Sequence, residues 1–156
     1  MNNKLNNSDF SKYRDEILNK FGNIESIIEA VISQHYFVKV RRDFLLEVLG
    51  DEYFSTGIKI RVLLKVTKSL NCEKELRELV RIRNYFVHLF PKFHDKYLSP
   101  SPGELVAVDP RNTSKSVDFE SEYKKFVGME SKVVNSLINI YKEKGGVLVE
   151  DGFPYQ

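Results

Sequence analysis

A chain of 156 residues, 42% hydrophobic and 29% charged, is long enough to bury a core and has the make-up of a globular protein. Its net charge of +2 neither demands nor excludes a nucleic-acid partner, and a basic site would have to be local. Cys72 is the only cysteine, which excludes an internal disulfide and a cysteine-built zinc cluster.

In chain order, residues 1–8 are polar and are expected to form a flexible N-terminus. Ser8 is placed to cap a short helix over 9–21, ended by Gly22. Asn23 is placed to cap a long helix to Leu49, ended by Gly50, with Ile24, Ile27, Ile28, Val31, Ile32 and Val38 at helical spacing. Ser55 or Thr56 opens "GIKIRVLLKVTKSL", which runs to Leu70. The short joint Asn71-Cys72 then leads into "EKELRELVRIRNYFVHLF", stopped by Pro91, and joints this short make antiparallel neighbours.

Residues 91–117 hold four of the five prolines and lose helical periodicity. Within them "ELVAVD" (104–109) reads as a short strand pairing with "GVLVED" (146–151). A last helix over 118–144 carries Phe119, Tyr123, Phe126, Val127, Val134, Leu137, Ile138 and Tyr141 and stops at Gly145-Gly146, leaving 146–156 as a tail. The expected fold is all-α: one domain over 9–145, an up-and-down bundle of four to five helices. One long proline-rich loop and a minor two-stranded β element complete it.

No apolar run reaches the roughly 18 residues of a membrane span, and "MNNKLNNSDF" lacks a leader's apolar stretch, so the cytoplasm is the expected compartment. His94 follows His88 by six residues across Pro91, which is no metal-ligand spacing on one helix, and neither metal nor cofactor is expected. His35 lies along the Ile28–Val31–Val38 stripe and reads as a packed or partly buried structural histidine. "KVRR" (39–42) and the Arg61, Lys65, Lys68 strip read as solvated faces.

The segment "RIRNYFVHLFP" (81–91) stands apart. At about 100° per residue, Leu76, Leu79, Val80, Ile82, Phe86, Val87, Leu89 and Phe90 cover half the helix, and Arg83 falls inside that arc. A buried arginine needs a partner because desolvating its charge costs several kcal/mol, on the order found in real proteins. It either snorkels, pairs with a carboxylate from another helix, or serves a site. Asn84 and His88, four apart, share a neighbouring face with Arg77 and Arg81, a polar strip with one titratable imidazole.

"RNYFVH" (83–88) resembles the Arg-Asn-x-x-x-His signature of the HEPN superfamily, small all-α domains of which many are metal-independent ribonucleases in toxin–antitoxin and antiviral systems. Residues 53–90 also resemble the helix–turn–helix that precedes that motif in HEPN-like families, among them the mannitol-operon repressor family, not known for nuclease activity. One HEPN toxin group has a tyrosine two residues after the histidine, and here that position is Phe90.

The resemblance implies a homodimeric endoribonuclease that pairs two motifs across a cleft, with RNA as substrate and an antitoxin protein as a further partner. Arg83 would stabilise phosphate charge, Asn84 would position it, and His88 would act as general base or acid. Arg77 and Arg81 on the motif helix, with Arg111 and Lys115 on the loop, would hold the RNA backbone. The other expectations are a non-catalytic HEPN-like regulator or binding module and a plain interaction bundle in which the motif arises by chance.

Overall fold

The computed structural model describes residues 7–37, 41–51, 54–68, 70–88, 107–109 and 112–148. Its helices are α1 (Asn7–Tyr36), a π-helical turn (Phe44–Leu49), α2 (Thr56–Val66), α3 (Glu73–His88) and α4 (Phe119–Glu143). Strands β1 (Ala107–Asp109) and β2 (Asn112–Val117) lie between α3 and α4. The fold is an all-α helical bundle, and no helix among the described residues is long and apolar enough to cross a membrane.

The chain forms two compact units, Met1–Phe21 with Lys74–Glu130, and Gly22–Glu73 with Ser131–Gln156. In the first, an aromatic cluster brings three helices together. Phe10 of α1 stacks on Phe86 of α3 at 5.8 Å, and Phe119 of α4 meets both rings edge-on, at 4.7 and 5.2 Å. Edge-to-face contacts suit the ring quadrupole and add to the area buried. Leu76, Leu79, Ile82 and Phe86 are the buried stripe of α3.

In the second unit, Ile24, Ile28, Val31 and Ile32 of α1, Leu63 of α2, and Val133, Leu137 and Tyr141 of α4 are buried almost completely. Lys59 is buried beside them and its ammonium is held by Glu29 at 2.6 Å and Glu25 at 3.5 Å. Thr56 donates its hydroxyl to the same Glu25 oxygen at 2.5 Å.

Several boundaries differ from those the sequence suggests. Gly22 does not end a helix. The buried residues Ile17, Phe21, Ile24, Ile28 and Val31 keep a 4-3-4-3 spacing straight across it, and that stripe outweighs the roughly 1 kcal/mol a helical glycine costs. Nor does the helix run on to Leu49: it stops at Tyr36, and buried Ser33 turns its hydroxyl to accept the amide of Arg41 at 3.0 Å.

The third helix ends at Val66 instead of Leu70, because Thr67 caps the Leu63 carbonyl with its amide and hydroxyl and Lys68 turns left-handed at φ 54°. Of the expected strand 104–109, residues 107–109 form a strand whose antiparallel partner is 112–117, with Ala107 opposite Val117 and a register shift between Val108 and Asp109. Residues 104–106 and 149–151 of the expected pair lie outside the described residues. Two residues separate these strands in sequence, so local closure costs far less entropy than pairing with a segment some forty positions on.

Candidate functional site

On α3 the charges of the polar strip divide into two groups. Arg81 hydrogen-bonds both carboxylate oxygens of Glu78, at 2.7 and 2.5 Å, and also binds Glu122 on α4. Its guanidinium lies 4.7 Å from the Tyr85 ring centroid. Lys125 reaches Glu122 at 2.9 Å, which closes a network of two cations and two carboxylates. The hydrogen bond from Arg81 holds the Glu78 carboxyl below its usual range, against the opposing effect of burial. Hydrogen bonding to Glu78 raises Arg81 well above its ordinary value. In this arrangement the donors of Arg81, expected to hold RNA phosphate, are engaged by carboxylates.

Arg83 is different. It is half-buried, its Nη1 donates to Asn84 Oδ1 at 3.1 Å, and its guanidinium lies 5.9 Å from the Phe21 ring of α1. Both partners are neutral. Among the described residues no carboxylate pairs with Arg83, so its placement in the apolar arc is accommodated by an amide and a ring face. A positive charge held by neutral groups keeps its attraction for an anion.

Asn84 is half-buried and His88, one helical turn further, is exposed. α3 thus presents, in order, a guanidinium fork oriented by an amide and then an imidazole open to solvent. The fork suits phosphate geometry, and an imidazole can both accept and donate a proton.

Arg77 on the same helix is exposed. Lys115 falls on strand β2, in the same compact unit, and Arg111 lies outside the described residues, as does much of the proline-rich loop. Neither the Phe21 platform under Arg83 nor the Glu122 partner of Arg81 was visible along α3. Each comes from a helix distant in sequence, whereas the Glu78–Arg81 pair follows from i,i+3 spacing.

Elsewhere the expected solvated faces are such: Arg41, Arg42, Arg61, Lys65 and Lys68 are exposed, and Arg41 pairs with Asp43. His35 is also exposed, correcting its expected packing, because it sits in the last turn of α1. Among the described residues, no group of three or more His, Cys, Asp or Glu side chains is placed to hold a metal ion. Comparison with known protein families, curated proteins and solved structures returns no match.

Proposed function

We propose that the chain is a homodimeric endoribonuclease of HEPN type that cleaves RNA without a metal, in a toxin or antiviral role. The observation that carries the reading is the state of Arg83: a charge in an apolar arc, oriented by Asn84 and Phe21, with no carboxylate pairing with it among the described residues, five positions before an exposed histidine.

In the reaction, the ribose 2′-oxygen attacks the adjacent phosphorus and the P–O5′ bond breaks. The 2′-hydroxyl proton goes to a base and the departing 5′-oxygen takes a proton from an acid. Arg83 stabilises the charge on the phosphorane, where its donors are worth most. One His88 supplies one proton-transfer role, and a second copy across a two-fold axis supplies the other. Light scattering near twice 18.2 kDa checks that assembly.

His88→Ala is expected to reduce cleavage by about 10²–10⁴-fold with the helical circular dichroism unchanged, since that side chain is exposed. Wild-type cleavage is expected to persist in EDTA. Loss of activity in EDTA, or full activity in His88→Ala, contradicts the assignment.

One observation favours the second reading, a non-catalytic HEPN-like binding module. Among the described residues His88 has no hydrogen-bond partner to fix its tautomer, and a proton-transfer histidine usually has one. A purified protein that binds RNA and leaves it intact at every pH from 5 to about 9, the range an imidazole base or acid spans, supports that module.

A further inference from the structure

The C-terminal end of α4 is tied down by side chains of α1 and of its own last residues. α4 finishes in a Schellman turn: the Gly146 amide reaches the Tyr141 carbonyl at 2.9 Å and the Gly145 amide reaches that of Lys142 at 2.9 Å, with Gly145 at φ 86°. Lys144 is the last residue before that reversal. Its carbonyl, which has no helical partner left, accepts from the Gln34 side chain of α1 at 3.3 Å.

The Lys144 ammonium makes two further contacts. It donates to the Val66 carbonyl at the end of α2 at 2.9 Å and stands 3.0 Å from His35 Nδ1 at the end of α1. An ammonium has only donors, so that second contact needs an unprotonated Nδ1 with its lone pair free to accept.

We propose that His35 and Lys144 form a proton-sensitive clasp, which joins the ends of α1, α2 and α4 while the imidazole is neutral and opens when it is protonated. Protonation puts a hydrogen on Nδ1, replaces an acceptor by a donor, and sets two positive charges about 3 Å apart.

The groups around the imidazole reinforce this. From α1 the Tyr36 ring meets it edge-on at 4.9 Å, from α4 comes Lys144, and from α2 the element contributes the Val66 carbonyl to the same ammonium. Among the described residues Lys144 is the charged group acting on His35, and no carboxylate offsets it. Partial desolvation first, and the Lys144 charge second, push the exposed imidazole below its ordinary value of 6.5. A histidine lowered on folding binds its proton more readily unfolded, so the clasp is fully present above 6.5 and lost as pH falls from there toward the folded value.

Amide exchange of the full-length protein, followed by nuclear magnetic resonance and corrected for the intrinsic pH dependence, tests the clasp. Between pH 7.5 and 5, spanning ordinary histidine titration, the Gly145 and Gly146 amides are expected to lose protection several-fold while Leu63 and Leu137 hold theirs. His35→Gln keeps an acceptor for Lys144 without titrating, so its protection at 145–146 should be independent of pH. Lys144→Met should raise the His35 titration midpoint toward 6.5. Unchanged protection in the wild type, or a pH response surviving in His35→Gln, overturns the clasp. The His35 ring titration is read in the wild type itself, and a midpoint above 6.5 also overturns it.

Discussion

Arg81 and Arg83 lie two residues apart on one helix, yet one is neutralised by Glu78 and Glu122 and the other rests on an amide and a phenyl ring. The difference predicts opposite phenotypes. Arg83→Met keeps the apolar stem and removes the charge, so the thermal midpoint should barely move. RNA affinity should fall, and its dependence on salt should lose about one counterion. Arg81→Met leaves Glu78 and Glu122 without their shared cation. It should cost up to about 1 kcal/mol, a value limited because the Arg81 side chain is 32% exposed, and leave RNA affinity unchanged. Equal destabilisation by both substitutions would make Arg83 a structural residue. The sequence shows Arg83 to be out of place on its wheel, because that is a property of one helix. What receives it does not show, because Phe21 is brought there by tertiary packing.

Two kinds of glycine distinguish what a helix boundary needs. Gly145-Gly146 was legible as a stop because the apolar stripe of α4 ends at Tyr141 and nothing beyond it keeps the spacing. Gly22 looked like a stop, yet the stripe passes through it at an unbroken period. Gly145→Ala forces a side chain into φ 86° and should cost about 1 kcal/mol. Gly146→Ala should cost more, about 1–3 kcal/mol, because its Cβ would fall 2.4 Å from ring carbons of Tyr141, whose ring is buried and has little room to give. Urea midpoints of the two variants should therefore fall in that order, and an undisturbed Gly146→Ala would mean the turn is looser than described. The β element was legible as a strand at 107–109 and not as a pairing, because 112–117 has weak alternation and only chain proximity recommends it.

At the scale of the whole molecule, the helical class was written in the periodicity and the grouping into two compact units was not. α1 and α4 each contribute residues to both units, and a continuous helix looks the same in sequence whichever residues it packs against. The candidate site was legible as a motif on one helix, while its electrostatics depended on which carboxylates other helices deliver. Glu122 takes Arg81 and leaves Arg83. On the proposed reading, that distribution puts the Arg83 guanidinium and the His88 imidazole in each copy, and a dimer supplies the second set. The most direct test is the product of purified protein acting in EDTA on a short RNA and on the same strand with deoxyribose at the cut position. Catalysis by the neighbouring hydroxyl predicts a 2′,3′-cyclic phosphate from the RNA and no cut at the deoxy position. A 3′-hydroxyl product, or equal cleavage of both strands, would contradict it.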